Sequence, residues 1–147
     1  MKYAAVVLFG LMSLQASAQK PVRWKFSAVR IADRTYEIHL TAKVEQPWHI
    51  YSQTTPAGGP AAAKIEFSGN PIVAINGTIR EAGKLITTTE KLFGLKTNYY
   101  EDAVDFIQQV KIKSNGKTTV TGYVQYMVAN TTQSLPVTTV SFNIALH

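Results

Sequence analysis

Residues 36–44 read Tyr-Glu-Ile-His-Leu-Thr-Ala-Lys-Val, with an apolar side chain at every second position. A period of two is typical of a β-strand with one buried and one solvated face, because successive side chains point to opposite sides. Residues 22–28 alternate in the same way, with Arg23 and Lys25 between apolar positions. The two stretches therefore predict two amphipathic strands that share one core.

Short strand patterns recur outward from this pair. Candidates lie at residues 48–51, 64–67, 71–74, 78–81, 104–112, 118–128 and 137–146. Turn signals separate them, and Asn115-Gly116 is a strong signal for a two-residue hairpin. No stretch has the convincing period of an amphipathic helix. Seven or more short strands predict an all-β chain folded as an antiparallel β-sandwich.

Two stretches lack a strand period. Residues 54–63 are rich in Pro, Gly and Ala and predict a loop. Residues 84–101 are aperiodic and predict a long ordered excursion, a feature that is often functional in compact domains. Exposed aromatic residues are favoured as contacts with partners. Phe93, Tyr99 and Tyr100 in this excursion are therefore candidate contact residues.

Residues 1–18 have the pattern of a secretory signal peptide. Lys2 precedes an apolar run, and Ala16-Ser17-Ala18 matches a cleavage signal. The run is shorter than the roughly 20 residues that span a bilayer, and no later stretch could cross one. We therefore expect a periplasmic or secreted chain that starts at Gln19, has no integral membrane segment, and forms one domain over residues 19–147.

The amino-acid composition excludes several kinds of chemistry and of binding surface. The chain has a formal net charge of +6, no cysteine and three histidines. Its basic residues are scattered, which favours a solvated sheet face over a nucleic-acid surface, where basic residues would cluster with stacking aromatics. Disulfides and thiolate chemistry are excluded within this sequence. The histidines and carboxylates show no metal-ligand spacing, so we predict neither a metal nor another cofactor.

Residues 126–140 read YMVANTTQSLPVTTV, two strand-like segments around a short polar loop. Ala129 and Ser134 flank the four loop residues. Opposed residues of an antiparallel pair have Cα atoms about 4.5–5.5 Å apart, and a disulfide accepts about 4.4–6.8 Å. Ala129 and Ser134 therefore occupy positions where two cysteines could form and break a bridge.

Ser134 could instead be a hydrolytic nucleophile, which would need a positioned base and an oxyanion hole. No G-x-S-x-G turn surrounds it. His39 is out of phase with the apolar positions of its strand and is expected to face solvent, and His49 is most simply a structural or surface residue. We therefore predict no catalytic residue and a chain that is not an enzyme.

The order and spacing of several motifs resemble a known family. They are Gln46-Pro47-Trp48-His49-Ile50-Tyr51, Gly58-Gly59-Pro60, Phe93-Gly94, Tyr100-Glu-Asp-Ala-Val104, and Tyr123-Val-Gln-Tyr126-Met-Val-Ala129-Asn130 with Ser134-Leu135-Pro136. Together they are similar to the N-terminal periplasmic domain of the thiol:disulfide interchange protein DsbD, in the form common among Bacteroidetes. The resemblance covers nearly the whole mature chain.

The resemblance implies an immunoglobulin-like sandwich. It also implies that Ala129 and Ser134 stand where the family has redox cysteines, which exchange electrons with thioredoxin-fold partners, and that a loop matching residues 92–94 caps them. The chain departs from the family at both cysteines, so we expect a non-catalytic interaction module. Its partner could be a periplasmic thioredoxin-fold protein or an unrelated protein acquired after the thiols were lost. Its candidate contact residues are Leu92, Phe93, Tyr99, Tyr100, Asn130, Leu135 and Pro136.

Two other functions remain open at this point. The chain could be an accessory or regulatory subunit of a periplasmic thiol-disulfide reductase system. It could also be a purely structural surface domain with no connection to redox chemistry. Binding to a thioredoxin-fold protein is expected of the interaction module and of the accessory subunit, but not of the structural domain.

Overall fold

The computed structural model describes residues 20–147, so the signal peptide predicted at residues 1–18 lies outside the described part of the chain. The regular elements from residue 20 onward are all β-strands. No helix in this part is long and apolar enough to cross a membrane. The strands are β1 Val22–Ala32, β2 Thr35–Val44, β3 His49–Tyr51, β4 Lys64–Phe67, β5 Val73–Ala82, β6 Leu85–Glu90, β7 Leu95–Tyr100, β8 Ala103–Ile112, β9 Thr118–Tyr126, β10 Val128–Ala129 and β11 Thr138–Leu146.

The strands form three antiparallel sheets. Their orders are β1-β2-β8-β5, β10-β3-β7-β6 and β11-β9-β4. Only Met127 separates β9 from β10, so the second and third sheets continue into each other along the chain. One hydrophobic cluster joins all three, with Leu40 and Phe106 from the first sheet, Ile50 from the second, and Val124 and Phe142 from the third.

The alternation at residues 36–44 is confirmed, because every apolar residue of that stretch is buried in β2. The stretch at residues 104–112 is confirmed in β8, where even Gln108 faces inward. The Gln108 amide donates to the backbone carbonyls of Asn76 (2.9 Å) and Gly77 (3.2 Å). Those carbonyls lie where the register of β5 shifts, so the glutamine satisfies acceptors that the irregular ladder leaves unpaired.

Several predicted boundaries are wrong. The excursion at residues 84–101 is a hairpin of β6 and β7, and the two short strands at 71–74 and 78–81 are the single strand β5. The strand predicted at residues 118–128 is interrupted at Met127, which separates β9 from β10. The Asn115-Gly116 turn does not make a two-residue hairpin, because β8 and β9 belong to different sheets and residues 113–117 connect them.

Glu81 ties the first sheet to the second. It lies in β5, and its Oε1 accepts hydrogen bonds from the Ser52 hydroxyl (2.6 Å) and the Tyr100 hydroxyl (2.8 Å). Its Oε2 accepts from the Gln53 backbone N–H (2.9 Å) and side-chain amide (3.1 Å). Ser52 and Tyr100 are both buried. One carboxylate therefore satisfies donors at the ends of β3 and β7, the strands that carry the candidate site.

We expect Glu81→Ala to destabilise the protein by about 3 kcal/mol, because it leaves two buried hydroxyls without this acceptor. Urea unfolding measures the change. Glu66→Ala, which removes an exposed carboxylate paired with Lys64, is the control and should have little effect. Equal losses in the two variants would contradict a special role for Glu81.

Candidate functional site

Ala129 and Ser134 face each other across a tight hairpin, as their spacing predicts. The Leu135 N–H donates to the Val128 carbonyl (3.0 Å), and the Asn130 N–H donates to the Gln133 carbonyl (2.9 Å). These bonds flank the Ala129–Ser134 pair on both sides, so the pair itself is of the non-hydrogen-bonded type. In such pairs the Cα atoms are about 4.5 Å apart and the side chains lie closest together.

Asn130 shapes the loop at residues 130–133. Its side-chain Oδ1 accepts hydrogen bonds from the backbone N–H groups of Thr132 (3.0 Å) and Gln133 (2.9 Å) and from the Thr132 hydroxyl (3.2 Å). Asparagine stabilises turns in this way because its short side chain mimics a backbone acceptor. The loop geometry is therefore fixed by its own sequence.

The hairpin is anchored on β3, where Ala129 pairs with His49. Ala129 is fully buried, whereas Ser134 is exposed. On its other side β3 pairs with β7, with Tyr51 opposite Tyr99. Directly opposed residues project from the same face of a sheet. His49, Tyr51 and Tyr99 therefore share the face on which the Ala129 side chain lies.

The turn between β6 and β7, residues 91–94, is here called the cap turn. The Phe93 and Gly94 N–H groups both donate to the Glu90 carbonyl (3.3 and 2.8 Å). Gly94 has φ = 68°, a left-handed conformation that glycine adopts without strain. The Phe93 ring packs edge-on against Tyr51, with centroids 6.1 Å apart. The cap turn thus folds over β3.

A buried polar network links the cap turn to β3. Glu90 Oε1 lies 2.6 Å from His49 Nε2, and the Tyr51 hydroxyl donates to Glu90 Oε2 (2.7 Å). His49 Nε2 is also 3.1 Å from the Tyr51 oxygen, and the imidazole stacks on Tyr99 at 3.9 Å between centroids. The His49 and Glu90 side chains are each only 9% exposed. Because Glu90 immediately precedes the cap turn, the network fixes where that turn begins.

Burial lowers the pKa of His49 below its ordinary value, and this effect exceeds the opposing influence of the Glu90 charge. The imidazole is therefore neutral at neutral pH, and its Nε2–H donates to the Tyr51 hydroxyl oxygen, which in turn donates to Glu90. Burial, together with the hydrogen bond to Glu90, raises the pKa of Tyr51. Burial and the Glu90 charge also raise the pKa of Tyr99. Both phenols thus stay protonated.

A pocket of about 220 Å³ opens between the cap turn and the hairpin. It brings together three of the predicted contact residues, Leu92, Tyr99 and Asn130, and adds His49 and Glu90 to its wall. Leu92 is 38% exposed, so an aliphatic side chain stands at the mouth of the pocket. The pocket combines an apolar rim with amide and hydroxyl groups, a composition suited to holding a side chain of a partner.

Of the other predicted contact residues, Phe93 packs on Tyr51 from the cap turn, and the remaining three lie away from the pocket. Tyr100 lies in the core, where it is 3% exposed and its hydroxyl donates a hydrogen bond to Glu81. The prediction that Tyr100 contacts a partner is therefore wrong. It alternates with Tyr99 along β7, which places the two rings on opposite faces. Leu135 lies on the far side of the hairpin, in a separate groove with Trp24 and Tyr126. Pro136 follows it and is exposed.

Sequence reasoning missed the His49–Glu90–Tyr51 network. His49 and Tyr51 are two residues apart in a strand pattern, which is a signal that they share a face. Glu90 gave no signal, because its contact with β3 depends on how the β6–β7 hairpin folds over. His39 lies on the outer face as expected but is half-buried, with Nδ1 2.7 Å from Asp105 Oδ2.

We expect stability to fall as the pH drops below about 6.5, and His49 to cause part of the fall. Its pKa in the folded state lies below the value of about 6.5 in the unfolded chain, so the unfolded chain binds more protons between these two values. The contribution is fully present above this window and is lost within it, at about 1.4 kcal/mol per unit of lowering.

Thermal unfolding of the unmodified protein and of His49→Gln between neutral and acidic pH measures this contribution. The variant keeps a donor near Glu90 but cannot titrate at this position, so its melting temperature should depend less on pH. Parallel curves for the two proteins would contradict a titrating His49.

The described residues define what the site can do chemically. Within residues 20–147, no three carboxylate, imidazole or thiol groups are grouped so that they could hold a metal ion. Glu90 and Tyr51 engage His49 Nε2, so this nitrogen is not free to act as a base toward Ser134. The arrangement is a preformed hairpin and pocket with the properties of a binding surface.

No protein-family model matches the chain, and comparison with curated proteins gives no significant match. Among solved structures, it is similar to the N-terminal periplasmic domain of ScsB from Proteus mirabilis, with a TM-score of 0.63 and 15% identity over 85% of this chain and 46% of that one. It is also similar to the reduced N-terminal domain of DsbD from Neisseria meningitidis, with a TM-score of 0.53 and 12% identity over 82% of this chain and 83% of that one.

These similarities establish the fold. The chain is an all-β, immunoglobulin-like antiparallel β-sandwich of the kind seen in the N-terminal domains of DsbD and ScsB. It spans slightly less than half of the ScsB chain that it matches. At 12–15% identity the likeness concerns the backbone.

Proposed function

We propose that this chain is an exported, non-catalytic protein-binding module, derived from the DsbD N-terminal domain in its Bacteroidetes form, with both redox cysteines replaced. Ala129 and Ser134 are the replaced positions. The observation that carries the proposal is their pairing, which has the backbone geometry of a cross-strand disulfide in a chain without cysteine. The partner is a periplasmic thioredoxin-fold protein.

The replaced side chains exclude thiol chemistry at this hairpin. Exchange proceeds by attack of a thiolate on a disulfide sulfur. The methyl group of Ala129 has no reactive atom, and the Ser134 hydroxyl is not a redox group. What remains is the surface around the pair: the preformed loop, the cap turn and the pocket between them.

The buried network supports a binding role, because it holds the surface in one conformation before a partner arrives. The Tyr51 hydroxyl and the His49 imidazole hold the Glu90 carboxylate, and Asn130 fixes the hairpin loop. A preorganised surface loses less conformational entropy on binding than a mobile one. The exposed Leu92 and the half-buried Tyr99 supply apolar contact area beside it.

Export is a second component of the proposal. It rests on the signal-peptide pattern of residues 1–18 and on the similarity to the ScsB domain, which is described as periplasmic. The intact mass of the protein isolated from periplasm or medium tests it. A chain that begins at Gln19 supports export with cleavage, whereas a chain that retains Met1 in the cytoplasm contradicts it.

Affinity capture from periplasmic extract tests the binding role. The bait is the unmodified protein, and two matched variants are Leu92→Glu at the pocket and Leu85→Glu on the same hairpin away from it. Both leucines are exposed, at 38% and 45%, so both variants should fold. We expect a thioredoxin-fold protein on the bait and on Leu85→Glu, at least about tenfold less on Leu92→Glu, a loss of about 1.4 kcal/mol.

Other results of the affinity capture would favour the accessory subunit or the structural domain. Recovery of the thioredoxin-fold protein together with a membrane reductase would favour an accessory subunit of a reductase system. Equal recovery on both leucine variants would place the contact away from the pocket and contradict the proposed surface. Absence of any thioredoxin-fold protein from all three baits would favour a structural domain.

A further inference from the structure

A second pocket lies at the opposite pole of the molecule from the hairpin. It has a volume of about 260 Å³ and lies between the β1–β2 turn and the β8–β9 connection, with Arg30, Arg34, Ser114, Lys117 and His147 in its wall. The hairpin follows the end of β9, whereas this pocket adjoins its beginning. A strand of that length separates them by about 30 Å.

Arg34 has no acceptor in this pocket. Its Nε atom is buried and makes no hydrogen bond within residues 20–147. The ion pairs of that region include neither Arg34 nor Lys117. The His147 backbone oxygen in the wall accepts instead from the Tyr36 hydroxyl (2.6 Å). Asp33, the only acidic side chain in the wall, pairs with Arg30 at 3.2 Å. A buried guanidinium N–H without an acceptor is costly, so it points to a missing anionic partner.

The backbone at Arg34 is set by the tight β1–β2 turn. Its φ is 52°, in the left-handed region that glycine or asparagine adopts more readily. Hairpins with a bulge beside the turn place one residue in this region, and the register here shifts between Arg30 and Ala32. Arg34→Gly therefore removes the guanidinium while it suits the backbone of the turn.

The surrounding charge is also positive. Lys111 and Lys113 lie at the end of β8 beside the pocket, and residues 111–117 contain three lysines and no acidic residue. Such a local excess of one sign attracts ions of the other. The volume is below the roughly 300–1,000 Å³ of pockets for drug-sized ligands. A small anion fits these features better than a large organic ligand.

We propose that this pocket binds a phosphate group through Arg34 and Lys117. The guanidinium matches two oxygens of a phosphate with its planar fork, and the lysine ammonium supplies a second charge. A free phosphate and the headgroup of an anionic phospholipid present the same chemistry. The site is independent of the proposed docking surface and does not rest on it.

Titration of the purified protein with inorganic phosphate tests the site, with chloride adjusted to keep the ionic strength constant. NMR follows the Arg34 Nε–H and the amides of residues 114–117. We expect saturable shifts confined to these groups and a melting temperature about 5 °C higher at tenfold the Kd.

Three variants separate binding from folding. Arg34→Gly should bind phosphate at least about tenfold more weakly, a change of about 1.4 kcal/mol, yet melt higher without phosphate because glycine suits this backbone. Lys117→Gln should bind more weakly by a smaller factor. Lys43→Gln, which removes an exposed charge at the other end of β2, should bind normally.

Binding to lipid vesicles distinguishes a phospholipid headgroup from free phosphate as the ligand. Binding to phosphatidylcholine vesicles that contain phosphatidylglycerol, competed by inorganic phosphate and lost in Arg34→Gly, would identify a lipid headgroup. Phosphate binding without vesicle binding would identify a soluble phosphate. Unchanged affinity in Arg34→Gly, or unsaturable shifts at all basic residues alike, would overturn the proposal.

Discussion

Ala129→Cys combined with Ser134→Cys should give a protein that closes an intramolecular disulfide under mild oxidation, with near-complete loss of free thiol. The two positions form a non-hydrogen-bonded antiparallel pair, whose Cα separation of about 4.5 Å lies within the range that a disulfide accepts. The backbone bonds on either side of the pair already hold this geometry, so closure requires no rearrangement.

Thiol titration and intact mass measure the closure. Because the closed loop is short, the bridge should add only about 2 kcal/mol to stability. Ala129→Cys with Gln133→Cys is the matched control, since Gln133 precedes Ser134 and its side chain points the other way. A folded Ala129/Ser134 variant that keeps its thiols free, or a control that closes equally fast, would refute the hairpin geometry.

Gly122→Ala should cost about 3 kcal/mol or more, a large share of the 5–15 kcal/mol that stabilises a typical domain. Gly122 lies in β9, the central strand of the third sheet, opposite both Phe67 and Phe142. A Cβ atom there would overlap the Glu66 carbonyl oxygen and lie 2.7 Å from the Phe142 ring. A backbone atom cannot move aside as a flexible side chain can.

Urea denaturation measures the loss. Relief of the overlap would require β9 to separate from β4, so we expect a lower midpoint and loss of the β4 pairing in amide exchange. Gly69→Ala is the control, because a Cβ at Gly69 meets no atom within 4 Å. A Gly122→Ala protein as stable as this control would contradict the close approach of β4 to β9.

Much of the sandwich could be predicted because its central strands separate a buried face from a solvated one. In β2 and β8 this requirement imposes the period of two that the sequence displays. In β6 the partly buried face carries Ile86, Thr88 and Glu90, so burial alternates there without an alternation of apolar residues in the sequence. In β7 exposed and buried residues share both faces. The hairpin at Ala129 and Ser134 was predictable because its loop is local and its turn chemistry is carried by Asn130.

The rest of the site depends on contacts between residues far apart in sequence. Glu90 meets His49 and Tyr51 only because the cap turn folds over β3. No local pattern encodes that approach. The same limit explains Asn115-Gly116, whose turn propensity is real, although the strands on either side enter different sheets. Propensity describes a turn, while tertiary packing decides what it joins.

The pairing of β11 has a consequence for the order of events during synthesis. β11 pairs with β9 over its whole length and supplies Phe142, Ile144 and Leu146 to the core. It also follows all ten other strands in the chain. A chain synthesised from its N-terminus therefore cannot complete its core until residues 138–146 have left the ribosome. Until then one edge of β9 has no partner strand, so the domain folds as a unit only after its last strand is free.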